Sequence, residues 1–454
     1  MRTRLLSGRL AGAALARAAE RSIDAQYYIW NSDNTGVYLA NRLREAAERG
    51  VRVRLLLDDI NVAERDAAIA RLDAHPNIEI RIYNPFAYRK GLARTFNFLS
   101  EFTRLNRRMH NKSFTIDGTV TIIGGRNIGD EYFDSNPHLN FRDRDVVAIG
   151  PVAGESGEMF DTFWNAAISR PISELAAPDD GQGGHGPSME DAAGTLAALH
   201  GALPRRGDDA LSRIRSSFDA MHVARARLVH DAPPALDQFG DTDGSQPSAR
   251  ALTDLAAGVR NEILIESAYL VLDDDSMERI AALAGRGVRV RALTNSLASN
   301  DVTANHAAYA RRRSRMLESG LEIHELRPDA ASCRTLVMNE AACMPPHVFG
   351  LHAKTFVLDR STVYVGSLNL NLRSRYLNAE SGMIIESSEL AQSVAAAIEL
   401  NMEPGNSWRV ERQPNGALTW RGGDGTEWHE DPMTPWSRRV IADLIATLPL
   451  EKYL

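Results

Sequence analysis

One pattern occurs twice in this chain, and the repetition limits the folds open to it. The first copy carries His110, Lys112 and Asp117, with Asn127 beyond them in Gly124-Gly125-Arg126-Asn127. The second carries His352, Lys354 and Asp359, with Asn369 beyond them in Gly366-Ser367-Leu368-Asn369. Both read H-x-K-x-x-x-x-D, and the Asn lies at the same offset from the His in each. Apolar and β-branched residues dominate the stretch before each glycine, as they do in strands.

The surroundings of the motif repeat as well. In the first half the pattern predicts a helix over 10–22, a strand over 25–30, a helix over 37–49 and a strand over 51–57. A helix over 63–74 and a strand over 78–82 follow, and 83–108 reads as irregular. The second half predicts strands at 262–267, 286–291 and 321–324, with helices at 275–284 and 303–319. Arg286-Gly287-Val288-Arg289-Val290-Arg291 echoes Arg49-Gly50-Val51-Arg52-Val53-Arg54. Alternating strands and helices predict an α/β fold whose sheets carry helices on both faces. A length of 454 residues exceeds one core, and duplication on this scale means two related domains, not a solenoid. The Gly-, Pro- and Asp-rich stretch 176–194 reads as a linker between domains 1–175 and 195–454.

Residues i and i+2 of a strand face the same way, so His110 points with Lys112 and His352 with Lys354. Asp117 and Asp359 have the opposite parity, and Asp117-Gly118 signals a hairpin turn, so a turn-fixing role is preferred for both aspartates. The asparagines return near the histidine end of each hairpin. Each half therefore offers a His, a Lys and an Asn to one small volume, a set suited to phosphate. Lys and Asn hold non-bridging oxygens, one His attacks phosphorus, and its counterpart protonates the departing alcohol. Such chemistry needs two histidines, one per repeat. It calls for no metal or cofactor, and no metal-ligand spacing is seen.

Composition narrows the alternatives. The formal charge of −7, with no long basic stripe interleaved with aromatics, speaks against nucleic acid as the partner. Cys333 and Cys343 are too few for a four-ligand zinc site, and reduced thiols are the expected state. No stretch approaches the ~20 apolar residues of a spanning helix. Arg9 and Arg17 interrupt the apolar run at the N-terminus, which favours an amphipathic helix over a signal peptide.

The paired motifs resemble those of the phospholipase D superfamily. Gln26-Tyr27-Tyr28-Ile29-Trp30, the segment from Gly124 to Phe133, and Phe141-Arg142-Asp143 are similar to its bacterial cardiolipin synthase branch, especially the type using phosphatidylethanolamine as donor. The resemblance implies two pseudo-symmetric α/β/α domains with one active site at their interface. It implies transfer of a phosphatidyl group to phosphatidylglycerol through a phosphohistidine, with His110 as nucleophile and His352 as acid and base. It also implies a carboxylate for each His, found downstream at Asp143 after His110 and at Glu380 after His352. The candidate site is then His110, Lys112, Asp117, Asn127, Asp143, His352, Lys354, Asp359, Ser367, Asn369 and Glu380. The implied partners are phospholipids and a bacterial membrane, bound peripherally. Members often carry a targeting segment upstream of where this sequence opens, so either such a segment precedes Met1 or other membrane contacts serve. Ser267-Ala268-Tyr269-Leu270-Val271-Leu272 departs from the family in lacking a proline. Hydrolysis of a phospholipid or nucleic acid, and an inactive membrane scaffold, are the alternative readings.

Other features carry less. Arg104, Arg107 and Arg108 precede the first motif, and Arg311, Arg312, Arg313 and Arg315 precede the second; either cluster suits anionic headgroups, though a solvated helix face is favoured for the second. His230 reads as a loop or packed residue before a pocket-lining one. After Thr434-Pro435, residues Trp436, Val440, Ile441, Leu444, Ile445 and Leu448 repeat at helical spacing. Docking on its own domain is preferred for that helix, and a lipid interface is the alternative.

Overall fold

The computed structural model describes residues 2–6, 11–62, 65–89, 91–176, 187–200, 221–234, 244–337, 340–423, 425–448 and 451–453. The first half contains β1 (Arg2–Leu6), β2 (Ser22–Tyr27), β3 (Arg52–Asp58), β4 (Ile78–Tyr83), β5 (Ser113–Ile116) and β6 (Val120–Gly124). It continues with β7 (Leu139–Arg142), β8 (Asp145–Ile149), β9 (Ser169–Pro171) and β10 (His222–Val223). All but β7 form one sheet in the order β10-β1-β8-β6-β5-β2-β3-β4-β9.

The second half contains β11 (Arg225–His230), β12 (Glu262–Ser267), β13 (Arg289–Asn295), β14 (Leu321–Leu326), β15 (Val348–Leu351) and β16 (Lys354–Leu358). β17 (Thr362–Gly366), β18 (Ser381–Glu386), β19 (Ser407–Arg412), β20 (Leu418–Arg421) and β21 (Glu427–Trp428) complete it. Its sheet runs β11-β18-β17-β16-β12-β13-β14-β19-β20-β21. The centres of the two sheets match. β2, β3 and β4 are parallel with β5 antiparallel to β2, as β12, β13 and β14 are parallel with β16 antiparallel to β12.

The helices of the first half are α1 (Ala11–Ala18), α2 (Asn34–Glu48), α3 (Asp66–Asp73), α4 (Gly91–Ser100), α5 (Phe102–Leu105), α6 (Pro151–Trp164) and α7 (Met189–His200). Those of the second are α8 (Pro247–Ala257), α9 (Asp274–Gly285), α10 (Thr303–Glu318), α11 (Cys333–Leu336), α12 (Leu372–Tyr376), α13 (Ser388–Met402) and α14 (Trp436–Ala446). Equivalent signals fix equivalent helices. Asp33 caps α2 by accepting from the Gly36 amide, and Asp273 caps α9 by accepting from the Ser276 amide. Gly50 and Gly287, at φ 94° and 83°, turn the chain from these helices into β3 and β13, where a side chain would be strained.

Several expectations are corrected. The chain opens on strand β1, paired with β8 and β10, and the expected helix over 10–22 is shorter. The segment expected to be irregular holds α4 and α5, because Leu92, Phe96 and Leu99 fall on one helical face. The expected linker ends in α7, whose Leu196 is buried in the first-half core, so a cut at 194 would split a helix. Residues 177–186 of that linker lie outside the described residues. Cys333 and Cys343 are joined in a disulfide, not reduced, because α11 and the following turn bring their Cα atoms to 5.8 Å.

The halves share a core. Ile123, Val146, Ala148 and Val152 of the first pack with Val357, Val363, Met383 and Ile385 of the second. β7 and β15, one from each half, pair as a parallel ribbon. Glu266 of β12, fully buried, takes Arg142 at 3.0 Å and Arg144 at 2.8 Å from the other half.

Candidate active site

The backbone sets each histidine against the opposite half. The His110 amide donates to the Ala379 carbonyl at 2.8 Å, and the His352 amide donates to the Arg142 carbonyl at 2.7 Å. Ala379 and Arg142 immediately precede Glu380 and Asp143. The carboxylates therefore reach across: His110 Nδ1 is 2.8 Å from Glu380 Oε2, and His352 Nδ1 is 2.6 Å from Asp143 Oδ2. The expected pairing of each histidine with the carboxylate downstream in its own repeat is thus corrected. The pairs are exchanged between halves because the interface, not the repeat, brings their backbones together.

These contacts fix the tautomer of His110. Its Nδ1 faces two acceptors, Glu380 Oε2 and the Ser367 carbonyl at 3.1 Å, so Nδ1 carries the proton and Nε2 keeps its lone pair. His352 Nδ1 faces the Asp143 carboxylate and, at 3.0 Å, Lys354 Nζ. Burial lowers His110 to about 4 against the partial support of Glu380, and burial with the Lys354 charge lowers His352 to about 3. Both rings are neutral near pH 7. Burial opposes ionisation of Asp143 and Glu380, but the facing histidine and the lysine charges outweigh it, and both carboxyls lie below their usual range.

The lysines are as buried as the histidines they follow. Lys112 Nζ donates to the His110 carbonyl at 2.6 Å, and Lys354 Nζ donates to the His352 carbonyl. Burial lowers Lys112 well below its ordinary value and lowers Lys354 to about 8; Lys354 further lowers Lys112. Two buried lysines, whose charge burial disfavours, beside two neutral imidazoles form a cluster that an anion would stabilise.

Glu380 is held from several sides. Ser367 Oγ donates to its Oε2 at 2.5 Å, Ser374 Oγ to its Oε1 at 2.6 Å, and its own amide donates to Asp231 at 2.9 Å. Asn369 joins this group through its amide, 3.3 Å from Ser374 Oγ, while its buried Oδ1 has no hydrogen-bond partner among the described residues. Asn127 is buried near His352, donating from Nδ2 to the Tyr132 hydroxyl at 3.1 Å.

Asp117 and Asp359 do not join the cluster. Asp117 accepts from the amides of Glu20, Arg21 and Ser22, and Asp359 from those of Arg260, Asn261 and Glu262, clamping the starts of β2 and β12. Neither arginine cluster is an open anion surface. Arg108 is buried against Asp58, and Arg104 bonds Glu101 and Asn84. Arg313 is buried against Glu325, Arg312 pairs with Glu451 and Asp274, and Arg315 pairs with Asp274. His230 ends β11 with Nδ1 3.1 Å from the Asp231 carbonyl.

Sequence reasoning missed the aromatic walls. Tyr28 stands edge-on to His110 at 4.9 Å, Tyr132 edge-on to His352 at 5.0 Å, and Phe141 lies 5.3 Å from His352. All three lie within the stretches that carry the family resemblance, so the signal was present without its geometric meaning.

Comparison with known proteins finds relatives along both halves of the chain. The family described as "Cardiolipin synthase, PLD-like domain" matches residues 13–164 and 253–400, one match per half. Cardiolipin synthase C of Escherichia coli K12 is 36% identical over 450 residues, covering 96% of this chain and 92% of that protein. An uncharacterized protein of Helicobacter pylori strain 26695 is 29% identical over 447 residues, covering 96% of this chain and 85% of that one. The crystal structure of a phosphatidylserine synthase from Haemophilus influenzae Rd KW20 covers 100% of this chain and 95% of its own, with a TM-score of 0.62 at 16% identity. That likeness concerns the fold.

Proposed function

For a chain that belongs to the cardiolipin synthase family of phospholipase D-like proteins, we propose phosphatidyl transfer to phosphatidylglycerol through a covalent phosphohistidine. The observation that carries the chemistry is the exchanged pair of His–carboxylate contacts beside two buried lysines. The donor phosphate lies between Lys112 and Lys354. His110 is the nucleophile: its Nδ1–H, bonded to two acceptors, raises the electron density at Nε2. Attack forms the N–P bond and breaks the P–O bond to the departing alcohol, which takes a proton from His352. In the free site burial and then the Lys354 charge resist protonation of His352, and the phosphate anion offsets the Lys354 charge. The incoming glycerol hydroxyl then gives its proton to His352 and attacks phosphorus, forming a new P–O bond and releasing His110.

A peripheral membrane position fits the same reading. No described helix is long and apolar enough to cross a membrane. α14 docks on α10 through Ala442, Ile445 and Ala446, as preferred from its sequence, yet Trp436 remains 72% exposed and Leu444 69%. On α4, Leu92 is 80% exposed and Phe96 71%. Arg438 of α14 donates to the Asn300 carbonyl, next to the Asp301 that bonds Tyr269. Phe102, after α4, meets Tyr453, whose carbonyl accepts from Arg373. We assign both apolar faces to a lipid interface.

The test uses liposomes of phosphatidylglycerol, with and without phosphatidylethanolamine, and lipid mass spectrometry. Cardiolipin from wild type and none from His110→Ala or His352→Ala is expected, and a rise with phosphatidylethanolamine would identify it as donor. Phosphatidic acid as the sole product would replace transfer with hydrolysis.

A further inference from the structure

A cavity of about 340 Å³ lies between α8, α9 and the sheet of the second half. Its walls include Leu252, Ala256, Ile265, Ile280, Leu283 and Phe356. The arginines at its edge are engaged elsewhere: Arg279 by Asp275, Arg286 by the Ala257 and Val259 carbonyls, and Arg375 by Asp273 and Asp275. What remains is an apolar chamber within the ~300–1,000 Å³ range of small-molecule sites.

Its position links it to the site. Phe356 lies two residues beyond Lys354 on β16, so both project from one face of the strand. Asn369 lines the cavity, and its backbone amide meets Ser374 Oγ, which in turn donates to Glu380; its buried Oδ1 has no hydrogen-bond partner among the described residues. The apolar chamber thus has Asn369 in its wall, one hydrogen-bonded serine away from Glu380.

The repeat supplies an internal control. The corresponding cleft of the first half, between α1, α2 and its sheet, holds only about 40 Å³. β2 ends in Tyr27 where β12 ends in Ser267, and Phe133 follows Asn127 at the offset by which Arg375 follows Asn369. Tyr27, Tyr38 and Phe133 line the small cleft. Similar packing demands met two outcomes, one filled and one open.

We propose that the second-half cavity seats one acyl chain of the phospholipid whose phosphate is at His110. Dry apolar cavities bind apolar groups, and each methylene seated is worth about fourfold in affinity. This rests on the phospholipid reading of the site, so binding is tested apart from turnover.

Full-length protein is photolysed with phosphatidylglycerol bearing a diazirine on one acyl chain, in mixed micelles, and labelled peptides are mapped by mass spectrometry. Labels on α8 and α9 are expected, with none in the first-half cleft. Ala256→Trp and, separately, Leu252→Phe should lose those labels. Both should also flatten the rise of kcat/KM with chain length for short-chain phosphatidylglycerols kept below micelle formation. The thermal midpoint reports whether each variant folds. Labels confined to α4 and α14, or to the separate 370 Å³ cleft between α2 and α3, would overturn the assignment. So would an unchanged chain-length dependence in a folded, filled variant. Labels on α8 and α9 without cardiolipin formation would uphold the cavity and reject the transfer reaction. Cardiolipin formation with labels elsewhere would do the reverse.

Discussion

At the residue scale, His110 and His352 share a motif but differ in their surroundings. Nδ1 of His110 meets two acceptors, whereas that of His352 meets one acceptor and an ammonium group. With a phosphatidyl donor bearing a nitrophenol leaving group, which needs no acid, His352→Asn should still form the covalent adduct and then stall. A mass increase of one phosphatidyl group on the peptide holding His110 checks this; an adduct on the peptide holding residue 352 of His110→Asn would reverse the roles. The rings also tie stability to pH. Both are depressed in the folded state, to about 4 and about 3, from an ordinary value near 6.5. The unfolded chain therefore takes up protons first, and the stability these neutral rings lend is complete above pH 6.5 and lost as pH falls toward 4 and 3. Asp231, pushed up by burial to about 6, acts in the opposite sense. The thermal midpoint should fall between pH 7 and 4.5, and less steeply in the His110→Asn/His352→Asn double variant.

At the scale of elements, short-range signals were legible and docking was not. Strand parity grouped His110 with Lys112 and His352 with Lys354, although His110, Lys112 and His352 lie just ahead of β5 and β16, and the turn chemistry of Asp117-Gly118 gave the hairpin from β5 to β6. The predicted helices end beside Gly50 and Gly287, as observed, whereas the caps Asp33 and Asp273 were not read and the predicted starts at 37 and 275 fall inside α2 and α9. The helix α4 was missed because an amphipathic pattern among aromatic and basic residues resembles a loop when its apolar face does not meet the core. The exchange of Glu380 and Asp143 left no local trace, since offsets along a repeat say nothing of the neighbour across an interface. α14 provides a test at this scale. Trp436→Ser/Leu444→Ser should reduce binding to anionic vesicles in a sedimentation assay with little change in thermal midpoint, because both side chains are exposed. Unchanged sedimentation would remove α14 from the membrane face.

For the whole molecule, the interface is part of the catalyst. The first-half and second-half sheets share one apolar cluster, and Glu266 alone receives two arginines from across it. Burial lowers Arg142 to about 10 despite Glu266, so the pair depends on that carboxylate. Glu266→Gln leaves two buried guanidinium groups short of their counter-charge, at a cost of about 3–5 kcal/mol. A lower denaturation midpoint, with activity lost as the halves loosen, is the expected outcome; a midpoint equal to wild type would mean that other contacts hold the interface.

The exchanged carboxylates also bear on the time course of synthesis. When the first half leaves the ribosome it carries His110 without Glu380, and Asp143 without His352. On the proposed roles, that half alone lacks the carboxylate that orients His110 and the histidine that serves as acid. The His352–Asp143 pair needs the chain as far as His352, and the His110–Glu380 pair needs it as far as Glu380, just ahead of β18.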